Sequence, residues 1–192
     1  RQRQMCIRDR HNAIEQLVAT LESAPNTALN QRGILPTTEL DTLLRTFNAT
    51  RTDFPQGSTV HGAFEVQAER QPHAIAVWQD GESLTYQQLN MRANQLAHRL
   101  LQQGVQPDDR VAICCRRGPQ MLVGLLGILK AGAGYVPIDP AYPAERIAYL
   151  LDDSAPVAVL AEASTRELLG AVTSVDLHDP CLQQYPVSNP RL

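Results

Sequence analysis

Cysteine, long apolar runs and an excess of one charge are all scarce in these 192 residues, and each scarcity removes a class of protein. The four cysteines, Cys6, Cys114, Cys115 and Cys181, have neither the paired spacing of a metal site nor the pattern of a disulfide framework, so reduced thiols are expected. Cys114 and Cys115 are neighbours in a predicted strand, which aims their side chains at opposite faces and keeps them from lining one site. All four read as small apolar filler. The most apolar run, Met121 to Leu129, is far too short for a bilayer and runs straight into Lys130, and the amino terminus lacks the charged-then-apolar order of a secretory signal. A soluble, cytoplasmic chain without a membrane partner is expected. The 17 basic and 20 acidic residues give a net charge of −3 with no basic run in the central region, which argues against nucleic acid as a partner. Phosphate-cradling glycines are also missing. No GxxxxGK string followed by Ser or Thr occurs, and Gly132 and Gly134 follow a helix rather than a strand, with Pro137 where a dinucleotide fingerprint needs its third glycine. No internal repeat or low-complexity segment occurs.

What is present is globular material, 43% hydrophobic, enough for a packed core. Residues 1–10, RQRQMCIRDR, form a basic tract without periodicity whose last six letters resemble translated adapter sequence, and it is set apart from the fold. Ile14, Leu17, Val18 and Leu21 give residues 11–22 an amphipathic helix. Residues 23–36, with Pro25, Asn26, Asn30, Gly33 and Pro36, read as a linker. A second helix is predicted from a Thr37 or Thr38 cap through Phe47, with Leu40, Leu43 and Leu44 on its apolar side. Thr59 opens a short helix through Gln67. Ala74 to Trp78 and Ser83 to Thr85 flank a Gln79-Asp80-Gly81 turn and make a hairpin. Tyr86 to Gln103 is a long helix, with Leu89, Ala93, Leu96, Ala97 and Leu100 on one face and Gly104 past its end.

From Arg110 the chain alternates. Strands are predicted at 110–115, 134–138, 157–160 and 171–176, and helices at 119–130, 143–153 and 164–169. Such alternation implies right-handed crossovers and a mostly parallel sheet covered on both faces, an α/β fold. Within it, Lys130 closes its helix as a cation at the negative dipole end, and Gly132 takes the left-handed cap. Asp139-Pro140 turns the chain, Pro143 occupies the first helical position, Glu145 sits in the positive first turn, and Pro156 ends that helix.

Residue types able to do chemistry have simpler readings here. His61, His73 and His98 lack a nucleophile or orienting carboxylate and read as surface or capping groups. Arg116 and Arg117 follow a strand, where open sheets often bind ligands, yet read as a solvated turn. Asp139, Glu145, Asp152 and Asp153 read as helix-end and turn solvation rather than a metal set. No catalytic, cofactor-binding or metal-ligating residue is assigned.

Two strings carry a family resemblance. LKAGAGYVPIDPAYPAERIAYLLDDS, at 129–154, resembles the second core motif of the adenylation domains of nonribosomal peptide synthetases, and Leu84 to Leu89, LTYQQL, resembles their first. His61-Gly62-Ala63-Phe64-Glu65-Val66-Gln67 is similar to the family's HxLFExQ segment, with Ala63 for the usual leucine. Asn48-Ala49-Thr50 and Phe54-Pro55 resemble the WNxT-like and Tyr-Pro landmarks between condensation and adenylation domains, with Phe47 for tryptophan. The resemblance thus implies the last helix of a condensation-like domain at 11–22, an interdomain linker at 23–58, and the N-terminal part of an adenylate-forming core at 59–192.

By that resemblance the complete domain would use ATP and magnesium to turn an amino acid into its adenylate, releasing pyrophosphate, and would load the acyl group on the phosphopantetheine thiol of a carrier domain. Adjacent condensation and carrier domains are the implied partners. The family's phosphate loop, magnesium carboxylates, ribose aspartate and late lysine match nothing here, and Val187 to Leu192 resembles the run just before the phosphate loop. This piece alone is therefore expected to bind no cofactor and to be inactive, with an open sheet edge and an uncovered Met121–Leu129 helix face. A stand-alone acyl- or aryl-CoA ligase of the same superfamily and a non-enzymatic remnant are the alternatives; residues 11–36 argue against the ligase.

Overall fold

The computed structural model describes residues 2–26, 28, 35–53 and 57–191. The chain divides into two compact units, Arg1–Gln56 and Gly57–Leu192. In the first, helix α1 (Gln2–Ser23) begins at Gln2 rather than His11. Residues 2–10 lack periodicity, but Gln, Arg and Met are good helix formers and nothing there breaks the helix, so local propensity carries it back. Its apolar residues Ile14, Leu17, Val18 and Leu21 are exposed. Helix α2 (Thr37–Asp41) continues as a π-helical segment, Thr42–Thr46. Its N-cap is Pro36 with no side-chain bond, which corrects the expected threonine cap. Asn48 closes the segment, its Nδ2 donating to the carbonyls of Leu43 at 2.8 Å and Leu44 at 3.2 Å. The expected positions Asn30, Gly33, Phe54, Pro55 and Leu192 lie outside the described residues.

In the second unit the starts of the first two helices and the turn of the hairpin have local causes. Thr59 caps α3 (Val60–Arg70), its hydroxyl accepting the Gly62 N–H at 3.1 Å. Strands β1 (Ile75–Gln79) and β2 (Glu82–Thr85) pair antiparallel. Asp80 and Gly81 both have positive φ, 50° and 88°, as the two-residue turn matching strand twist requires. Thr85 then caps α4 (Tyr86–Gln102) through a reciprocal box: its Oγ1 accepts the Gln88 N–H at 3.2 Å and Gln88 Oε1 accepts the Thr85 N–H at 2.9 Å. The string LTYQQL is thus a strand end and a helix start in one.

Strand β3 (Arg110–Cys114), helix α5 (Pro119–Lys130), strand β4 (Gly134–Pro137), helix α6 (Ala144–Ser154), and strands β5 (Ala158–Ala161) and β6 (Val175–Asp176) complete the unit. The four strands form one parallel sheet in the order β4-β3-β5-β6. Alternation along β3 splits the core in two. Val111, Ile113 and Cys115 join Leu96, Leu100 and Ile128 from α4 and α5, whereas Ala112 and Cys114 join Ile147 from α6 on the other face. The α/β expectation, helices on both faces of a parallel sheet, is met.

Several boundaries differ from the sequence expectation. Pro143 is the N-cap, not the first helical residue. The 164–169 helix is a 3-10 turn, Arg166–Leu169, and the 171–176 strand shrinks to Val175–Asp176. Thr165 explains the first: its hydroxyl donates to the Cys114 carbonyl at 2.6 Å, tying the turn to a strand end where a longer helix would pull it away. Pro180–Gln184 forms a further 3-10 turn that periodicity does not reveal. One face of α5 is covered where an uncovered face was expected, Val123, Gly124, Gly127 and Ile128 being buried, while Leu122 is exposed. A Cβ on Gly127 would meet Leu96 Cδ2 at 2.7 Å, so glycine there lets α5 lie close against α4.

Candidate functional site

Parallel sheets tend to bind ligands beyond the carboxyl ends of their strands, and this one has a cleft of about 600 Å³ there. Arg116 and Arg117 after β3, Asp139 and Tyr142 after β4, and Ser164 and Thr165 after β5 line it. Both arginines are exposed. The Arg117 backbone is held by Gln79, whose Nε2 donates to its carbonyl at 3.2 Å, leaving the guanidinium to solvent. Asp139 serves its own turn, its Oδ1 accepting the Ala141 N–H at 2.9 Å. Cys115 also faces the cleft. Burial, then the charge of Glu162 and the Cys114 thiol, push its thiol up to about 12, so it stays protonated and unreactive near neutrality. Burial likewise raises Cys114. The cleft has two exposed arginines among its lining residues, and those residues include no paired nucleophile and base.

A second polar constellation lies on the opposite side of the core from α6. The Lys130 side chain is wholly buried and pairs with Glu65 of α3. Burial lowers the lysine's pKa, while the hydrogen bond and charge of Glu65 oppose that shift. Lys130 Nζ also donates to Asn189 Oδ1 at 3.2 Å, joined there by Asn94 Nδ2 at 2.9 Å and Asn90 Nδ2 at 3.1 Å. Asn94 is itself fully buried within α4. Its Nδ2 donates to the Val187 carbonyl at 2.7 Å, and His98 Nε2 donates to the Ser188 carbonyl at 2.9 Å.

Lys130 lies in the last turn of α5, as expected, and its ammonium is in addition an internal ion-pair partner of Glu65. His98 anchors a backbone carbonyl, and His73 is exposed. His61 has its pKa lowered by burial first, with Glu65 raising and Lys130 lowering it. Glu145 lies in the first turn of α6, as expected, and Asp152 and Asp153 are exposed at its end. Cys181 is exposed, not filler. Among the described residues no group of three or more His, Cys, Asp or Glu could hold a metal. No helix among them is long and apolar enough to cross a membrane. Sequence reasoning missed Glu65, Asn90, Asn94 and Asn189. Asn90 and Asn94 are four apart along a helix whose neighbouring stripe is apolar, a spacing that puts both amides on one line.

With this geometry in place, the chain can be set beside known proteins. Residues 64–189 match the family model described as AMP-binding enzyme. The chain is 45% identical over 181 residues to a linear gramicidin synthase of Brevibacillus parabrevis, covering 92% of itself and 4% of that protein. It is 44% identical over 172 residues to malpinin synthetase of Mortierella alpina, covering 88% of itself and 2% of that protein. A crystal structure of the nonribosomal peptide synthetase FmoA3 superposes with a TM-score of 0.76 at 26% identity, over 95% of this chain and 20% of that one. A second, of its alpha-methyl-L-serine-AMP bound form, gives a TM-score of 0.76 at 25% identity, over 95% of this chain and 21% of that one. The chain therefore spans only a small part of the length of the proteins it matches.

Proposed function

The chain belongs to the AMP-binding enzyme family, as an adenylation-domain fragment of the nonribosomal peptide synthetase type, and we propose that the complete domain activates an amino acid with ATP as its aminoacyl-adenylate. The observation that carries this reading is the family match over residues 64–189, laid on a parallel sheet whose strand ends open into one cleft. In the complete domain the acyl group would pass to the phosphopantetheine thiol of a carrier domain, with magnesium neutralising the ATP phosphates. Residues 11–22 would be the last helix of a preceding condensation domain, 23–58 the linker and 59–192 the first part of the adenylating core. The whole protein would work in the cytoplasm.

The described residues do not fit an ATP–magnesium complex. Such a ligand needs converging backbone N–H groups, a lysine free to reach phosphate and paired carboxylates. Lys130 is committed to Glu65 and Asn189, and no acidic metal set exists among the described residues. No step of the reaction is routed through them. The chain's part is that of scaffold: a rigid wall for the strand-end cleft, with Arg116 and Arg117 on its rim.

Two measurements test this. The chain alone, titrated with ATP and magnesium in a calorimeter, should give no saturable heat in the micromolar range. The full-length protein that carries it should release pyrophosphate only when a cognate amino acid is present. Micromolar ATP binding by the chain alone would overturn the scaffold assignment, and amino-acid-independent turnover by the full-length protein would overturn the reaction.

A further inference from the structure

The segment from Gln183 to Asn189 crosses α4 without joining any sheet, and side chains hold it there. Gln95 Nε2 donates to the Gln183 carbonyl at 3.2 Å. Arg99 Nη1 donates to Tyr185 Oη at 2.9 Å, and that hydroxyl donates to Gln102 Oε1 at 2.7 Å. Asn94 and His98 take the carbonyls of Val187 and Ser188. At the end of this strap three donors, Asn90 Nδ2, Asn94 Nδ2 and Lys130 Nζ, converge on the single oxygen Asn189 Oδ1.

That convergence has an unusual balance. The carbonyl oxygens of Asn90 and Asn94 are buried without a hydrogen-bond partner, so both amides are turned to spend their N–H groups on the strap. Leaving two buried acceptors unpaired is unfavourable, and a segment that only needed covering could be packed with apolar side chains instead. All three donors sit on α4 and α5, the two helices that share the larger core. Lys130 is also paired with Glu65, so its ammonium is held by a partner other than Asn189.

We propose that Asn189 is a positioning residue: seated in the Asn90–Asn94–Lys130 cradle, it sets where and in which direction the chain leaves the α4 face, and so places the phosphate-binding residues that follow in the complete domain. This rests on the adenylating function proposed above. The cradle recognises one acceptor oxygen, so aspartate can substitute for asparagine, and alanine or leucine cannot.

The test uses the full-length protein in amino-acid-dependent ATP–pyrophosphate exchange. Asn189→Ala should raise the KM for ATP at least fivefold, with the KM for the amino acid within twofold of native. Asn189→Asp should bring the ATP KM back to within twofold. Gly81→Ala, which strains the β1–β2 turn at a φ of 88°, should lower the melting temperature and leave the ATP KM unchanged. A native ATP KM in Asn189→Ala, or one raised equally by Gly81→Ala, overturns the proposal. A second readout separates it from the function it rests on. In this chain, Asn189→Ala should speed amide hydrogen exchange at residues 187–189 at least tenfold and leave α5 unchanged. Unaltered exchange there refutes the cradle whatever the enzyme does. Absence of exchange activity in the native full-length protein, with accelerated amide exchange in the variant, refutes the adenylating function and keeps the cradle.

Discussion

His61 stands one helical turn before Glu65 on α3 and feels three influences: burial disfavours its charged form, Glu65 favours it and Lys130 opposes it. The net result is a pKa below the ordinary 6.5. In the window between that lowered value and 6.5 the unfolded chain binds more protons than the folded one, so stability rises with pH there. Stability present above pH 6.5 is lost as pH falls through the window. Acidifying from about pH 7.5 to 5.5 should therefore lower the melting temperature of the native chain more than that of His61→Gln, since an unperturbed histidine titrates near 6.5. Equal losses would show that the imidazole does not resist protonation. Lys130 teaches the complementary lesson about single residues. A lysine at a helix end is usually a solvated dipole partner, and sequence alone favours that reading. Its burial depends on Glu65 and Asn189, positions far away in the chain, so nothing local to residue 130 could disclose it.

Helices α4 and α5 end the same way. After α4, Gly104 N–H donates to the Leu101 carbonyl at 3.0 Å and Val105 N–H to that of Leu100 at 3.2 Å. After α5, Gly132 N–H donates to the Leu129 carbonyl at 3.1 Å and Ala133 N–H to that of Ile128 at 3.1 Å. Each is a Schellman cap: the glycine takes positive φ, 91° and 80°, and the apolar residue after it packs back onto the helix. Gly132→Ala should destabilise by about 1 kcal/mol through strain at positive φ, or about 3 °C in melting temperature for a domain of this size. An unchanged melting temperature would contradict the cap. Both glycines can be read from the sequence, because an apolar helical stripe followed by glycine and then an apolar residue is a signal within one turn. The hairpin turn at Asp80-Gly81 and the Thr85–Gln88 box are legible for the same reason. The stretch 171–176 is not. Its composition suits a strand, yet only Val175 and Asp176 find partners on β5, and that length is set by what lies across the sheet.

At the scale of the whole chain, burial is confined to one unit. Every buried residue of the described core lies at or beyond Ala68, while Ile14, Leu17, Leu44 and Phe47 are exposed. Removing residues 1–56 should therefore leave the melting temperature of the remainder within about 2 °C, since exposed surface away from structural features contributes little. A larger drop by circular dichroism would mean that the first unit supports the second. The two glycine caps have a consequence here that goes beyond stability. The loops they open are stitched together: Asp108 N–H donates to the Gly132 carbonyl at 3.0 Å and Gly134 N–H to that of Asp109 at 2.8 Å, immediately before Arg110 and Gly134 pair as the first rung of β3 and β4. One residue gained or lost in either loop would slide that rung, and a slip of one turns alternate side chains to the wrong face. Insertions, deletions and the junctions of chimaeras with related proteins are thus barred from 104–109 and 131–134. They belong at residues 170–173, before β6, which are exposed, so that a gain in length passes out to solvent and the reading frame of the sheet is kept.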